Sequence, residues 1–123
     1  MWLFTRYGFY SIACALKQDG ALDPDKVMVR ARVMNHLKNL QKRFPQLKGV
    51  DILTLPRRDY LYRLLVPKQV WSMIIAELAE EQNWSNFKTE AARYQGVAGS
   101  AYIHALHAVW NTMYELQDNR FSS

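Results

Sequence analysis

The stretch Lys26-Val27-Met28-Val29-Arg30-Ala31-Arg32-Val33 decides the fold class of this chain. Val27, Val29, Ala31 and Val33 alternate with Met28, Arg30 and Arg32. A period of two sorts side chains onto two faces only in an extended strand. One face is apolar and the other carries two arginines. The spacing predicts a strand packed on a core, with guanidinium groups on the side away from it.

Upstream, Trp2 to Leu16 is rich in aromatic and β-branched residues, with Gly8 near its middle. It reads as two strands, Trp2–Tyr7 and Phe9–Leu16, joined or bent at Gly8; a bulge inside one long strand is the alternative. Lys17–Asp25, which contains Asp19-Gly20 and Asp23-Pro24, reads as a loop. Downstream, Met34 to Phe44 changes to helical spacing, with Leu37, Leu40 and Phe44 inside and Lys38, Lys42 and Arg43 outside, before Pro45 ends it. Val50–Leu55 and Tyr60–Val66 read as a hairpin around Pro56-Arg57-Arg58-Asp59.

Pro67 suits the first turn of a helix in which Val70, Trp71, Ile74, Ile75 and Leu78 oppose Glu77, Glu80 and Glu81. Ser85 is the expected N-cap of a helix over 86–94 that stops at Gly96. Ser100 is expected to cap the last helix, with Ile103, Leu106, Trp110 and Met113 on one side. Residues 118–123 are expected to fray. Sequential hairpins and amphipathic helices together predict an α+β fold. It has an antiparallel sheet of about five strands and three or four helices packed mainly on one face, in a single domain over 1–117.

Composition agrees with one domain: of 123 residues, 50% are hydrophobic and 22% charged, enough for a core and unlike a disordered chain. The single cysteine, Cys14, allows no intramolecular disulfide and fits a reducing compartment. Met1 to Arg6 lacks the basic, then apolar pattern of a secretory leader, and no apolar run is long enough to span a bilayer. A cytoplasmic location without a membrane partner is the expectation. The net charge of +5 is unevenly spread: thirteen Lys/Arg against five Asp/Glu in residues 1–70, and three against six in 71–123. A domain polarised in this way steers polyanions or acidic protein surfaces toward one side; the simpler alternative is that the basic half aids solubility.

Four groups of residues are candidates for function. Arg30, Arg32 and Arg63, with Tyr60 and Tyr62 near them in sequence, suit phosphate contacts and base stacking, or an acidic protein partner. Strand parity prevents all five from sharing one face of regular strands, and an ordinary solvated face is the competing interpretation. Arg6-Tyr7-Gly8-Phe9-Tyr10-Ser11-Ile12 partly matches an RNA-recognition strand motif, but Tyr7 intervenes before Gly8, Tyr10 stands where a small residue belongs, and core aromatics around a bend fit better. His104, His107, Asn111 and Tyr114 make a polar stripe on the last helix. Its histidines are weak catalytic candidates for metal-free RNA cleavage, and no ligand set accompanies them. Lys88, in Asn83-Trp84-Ser85-Asn86-Phe87-Lys88, is a further anion contact or a surface lysine near Glu90. No phosphate loop, nucleophile elbow, zinc ribbon or calcium loop is present, so no cofactor and no metal are expected.

Met1-Trp2, Thr5, Tyr7-Gly8-Phe9-Tyr10-Ser11-Ile12, Val29-Arg30-Ala31-Arg32, Asp59-Tyr60, Tyr62-Arg63, Ser85-Asn86-Phe87-Lys88, His107, Val109-Trp110, Met113-Tyr114 and Leu116-Gln117 occur in that order. This pattern resembles a small bacterial single-domain protein family without an assigned biochemical activity. The resemblance spans nearly the whole chain, apart from a longer Lys17–Asp25 loop, and implies a free-standing bacterial domain but no chemistry. The residues themselves favour a non-enzymatic module whose basic sheet half binds RNA or single-stranded DNA. A protein-interaction adaptor or inhibitor of a nucleic-acid-handling complex comes second, and a metal-independent ribonuclease third.

Overall fold

Tyr10, Ile12, Val27, Val29, Ala31, Leu64 and Val66 alternate along three neighbouring strands and are buried on the same side of one sheet. The computed structural model describes residues 1–117, so the expected fraying of 118–123 lies outside the described residues. Among the described residues the fold is α+β, with four α-helices and a five-stranded antiparallel sheet. The strands are β1 (Trp2–Thr5), β2 (Gly8–Leu16), β3 (Leu22–Ala31), β4 (Leu53–Thr54) and β5 (Tyr62–Pro67), in the order β1-β2-β3-β5-β4. The helices are α1 (Met34–Arg43), α2 (Lys68–Glu80), α3 (Phe87–Gln95) and α4 (Ser100–Tyr114). The described residues pack as two compact units, Met1–Asn83 and the residues from Trp84 onward.

In the first unit, Leu37 and Leu40 of α1, Phe44 and Leu47 just after it, and Trp71 and Ile74 of α2 pack on the apolar sheet face as one cluster. Each such side chain contributes roughly 1.5–3 kcal/mol by leaving water. Val33 departs from the expected apolar face. It is 46% exposed because the chain leaves the sheet there, and it takes the N-cap position of α1.

β3 begins earlier than expected, at Leu22. The ladder passes from Cys14↔Val27 to Ala15↔Asp23, and this bulge takes up Pro24, which cannot donate a ladder hydrogen bond. β4 is shorter than expected. Val50 is held instead by the Gln41 side-chain amide, which donates to its carbonyl at 2.7 Å. Pro67 ends β5 opposite Lys26 and is the N-cap of α2, so it lies just outside the first turn.

Glu81, expected on the outer side of α2, points inward at the helix end. Its carboxylate accepts from the Tyr7 hydroxyl at 2.8 Å and from Arg43 Nε at 2.9 Å, and lies 3.5 Å from Arg6. Two arginines make this burial tolerable. Burial, and then the adjacent carboxylate, raise the Tyr7 phenol above its ordinary value of 10.0.

His36, buried beneath the β1–β2 turn, uses Nδ1 to accept the Phe9 N–H at 3.2 Å. Burial holds its pKa below the ordinary 6.5. The folded state therefore binds this proton less readily than the unfolded chain. The stabilisation is complete above about pH 6.5 and is lost as pH falls below it. Melting temperature should drop between about pH 7 and about pH 5, and a His36→Gln variant should show a flatter profile. Thermal denaturation across that range checks it.

In the second unit, Asn86, not Ser85, caps α3: its Oδ1 accepts from Thr89 N at 2.9 Å. Gly96, at φ +64°, ends the helix as expected. Ser100 is the first residue of α4 instead of its cap, and Gly99 takes the cap position without a side-chain bond. Tyr102 and Leu106 are the buried residues of α4, whereas Trp110 and Met113 of the expected apolar stripe are 49% and 57% exposed. No helix among the described residues is long and apolar enough to cross a membrane.

Candidate nucleic-acid interface

The face of the sheet turned away from α1 and α2 is organised by register. Trp2 pairs with Ser11, Ser11 with Arg30, Arg30 with Arg63, and Arg63 with Leu53. Directly opposed residues of antiparallel strands share a face, so these five make one row across the whole sheet. Two guanidinium groups from strands far apart in sequence thus become cross-strand neighbours at its centre.

Their local bonding differs. Arg30 donates from Nη2 to Ser11 Oγ at 2.8 Å and from Nε to Ser11 O at 3.3 Å. Arg63 donates from Nη1 to Met28 Sδ at 3.2 Å, a weak acceptor, and its buried Nε has no partner among the described residues. Among the described residues, neither arginine pairs with a carboxylate. Burial, followed by the charges of Arg30 and Arg58, lowers the pKa of Arg63. Like charges directly opposed on a sheet are unfavourable, and so is a buried donor without an acceptor. The row keeps both.

Arg32 belongs to the same face but is engaged: it forms an ion pair with Asp59 at 3.2 Å, exposed on both sides. Such a pair contributes little and is easily exchanged. Tyr60 lies under both arginines, with the Arg30 and Arg32 guanidinium carbons 4.9 and 4.5 Å from its ring centroid. Strand parity does not exclude it, because β5 begins at Tyr62 and Tyr60 lies in the preceding bend. At 5% exposure, however, its ring is a support for the arginines and has no free face for a base. Tyr62 pairs with Ala31 and packs against the hydrophobic cluster on the other face, so it cannot join the arginines.

The aromatic residue that sequence reading missed is Trp2. It is 70% exposed, with Phe9 edge-on to it at 6.0 Å and Phe4 stacked on Phe9 at 4.5 Å. Alternation at Trp2 and Phe4 was the available signal, but only pairing assigns that face to the arginines. At the hairpin tip, Arg57 has a left-handed φ of +67°, and Arg57 and Arg58 are exposed.

No match to the chain was found among protein-family models, curated proteins or solved structures.

Lys88 belongs to the second unit, where its ammonium lies 4.6 Å from the Trp110 ring centroid and 3.4 Å from His107 Nδ1. His107 stacks on Trp110, and Trp110 on Tyr114. His104 is exposed. Among the described residues, no carboxylate bonds to either histidine, and no three His, Cys, Asp or Glu side chains are grouped to hold a metal ion.

Proposed function

We propose that the chain is a small binding module that holds a polyanion, RNA or single-stranded DNA, on the sheet face turned away from α1 and α2. The observation that carries this reading is the Arg30–Arg63 pair, adjacent, half-buried and without an acid partner among the described residues. A like-charge pair that costs stability in the free protein is accounted for when a ligand brings the compensating negative charge. Phosphate oxygens are suitable acceptors for a guanidinium fork. Arg58, close enough to perturb Arg63, adds a third positive charge.

Three phosphate contacts on a single strand predict that log affinity falls with log salt concentration at a slope of about −2. Fluorescence anisotropy of a labelled oligonucleotide, titrated from about 50 to about 200 mM KCl, measures it. Absence of binding at the low-salt end would remove this reading.

A second reading, contact with a protein partner, draws on other residues. Trp110, Met113, Tyr114 and Leu116 are 49%, 57%, 57% and 65% exposed. Clustered exposed apolar side chains mark interaction surfaces. Co-purification that survives nuclease treatment and is lost in a Trp110→Ala/Met113→Ala variant would favour it.

A further inference from the structure

We infer that the polynucleotide crosses the strands along the Trp2–Ser11–Arg30–Arg63 row, with one unpaired base stacked on Trp2. The inference rests on the polyanion reading and adds to it a path, a base-contacting residue and a preference for unpaired strands.

The first argument is position. Trp2 stands on edge strand β1, and its partner Ser11 is the residue that the Arg30 guanidinium grips. Adjacent strands are about 4.8 Å apart, so Trp2 lies roughly 10 Å from the Arg30 position and roughly 14 Å from that of Arg63. At a stacked rise of about 3.4 Å per nucleotide, this row matches a segment of about four nucleotides, and fewer when the strand is extended. Ser11 is small and 3% exposed, and the Arg30 guanidinium that bonds to it brings the positive charge toward the aromatic end of the row.

The second argument is chemistry. The arginines supply phosphate contacts that every nucleic acid can use. Trp2 is 70% exposed, so its surface is largely open, while Tyr60 is already covered. A duplex hides the faces of its bases and offers phosphates alone. A single strand can use the row from end to end. An acidic peptide would satisfy the arginines and would gain nothing from base stacking at Trp2.

The test uses four labelled probes: oligothymidylate, its abasic counterpart and polyglutamate, all of equal charge, and a DNA duplex. Oligothymidylate should bind wild type about ten-fold more tightly than the abasic strand, since one base on one aromatic ring accounts for about that factor. In Trp2→Ala this preference should disappear while the salt slope stays the same. Trp2→Phe, which keeps an aromatic ring, should retain part of the preference. Thermal melts should show both variants folded, as expected for a residue this exposed. If oligothymidylate binds and Trp2→Ala leaves its preference over the abasic strand intact, the inference is overturned and the polyanion reading stands. Equal binding of polyglutamate, or of a duplex, also overturns it. If no probe binds at low salt, both fail together.

Discussion

Gly8→Ala should lower folding stability by about 4 kcal/mol, enough to unfold a marginal domain near physiological temperature. A Cβ at this position would lie 2.3 Å from His36 Cγ and 2.5 Å from His36 Cβ. Both atoms sit at the root of a buried side chain, which cannot swing aside as the tip of an exposed one can. The φ of +154° adds a backbone penalty for any L-residue. Moving His36 would also break its bond from Phe9 N–H and disturb its carbonyl, which accepts the Tyr10 hydroxyl at 2.6 Å. Urea denaturation measures the loss. A Gly8→Ala/His36→Ala double variant should recover about 1–2 kcal/mol relative to additivity, because the steric part of the penalty is shared by the pair. A loss below about 1 kcal/mol in the single variant would mean that the turn relaxes freely and that the close approach imposes no constraint.

Arg63→Met should move stability and binding in opposite directions. Methionine keeps the length of the apolar stem beside Met28, and it removes a buried Nε without an acceptor and a charge opposed to Arg30. A gain of about 1 kcal/mol in stability is expected. Affinity for a single-stranded oligonucleotide should fall about ten-fold at low salt, and the slope against log salt should shrink by about 0.7, the contribution of one phosphate contact. Paired measurements of urea midpoint and anisotropy decide the matter. A destabilised Arg63→Met would assign the arginine to the scaffold, and it would take away the main support for a ligand on this face.

Much of the fold was legible because periodicity depends on local geometry. Alternation in Lys26–Val33 identified the strand and sorted its side chains as far as Ala31, where the chain leaves the sheet. The spacing of Leu37, Leu40 and Phe44 identified α1, and Gly96 marked the end of α3. Capping was less legible: Ser85 and Asn86 are both competent, and only the path of the chain decides which hydroxyl or amide faces the free N–H groups. Glu81 looked like a solvated residue of α2 because nothing local to it announces that Arg6 and Arg43 converge at that helix end.

The same distinction governs the site. Alternation places Arg30 and Arg32 on the side away from the core, and the amino-acid sequence alone determines that much, along with the α+β class and the basic character of the sheet half. Only the tertiary structure places Arg63 opposite Arg30, Trp2 at the end of their row, Tyr60 beneath the arginines and Tyr62 on the other face. The reason is physical: a period of two states which side a residue faces, whereas pairing register, bulges and bends outside the strands determine which residues it faces, and those are set by packing between distant segments.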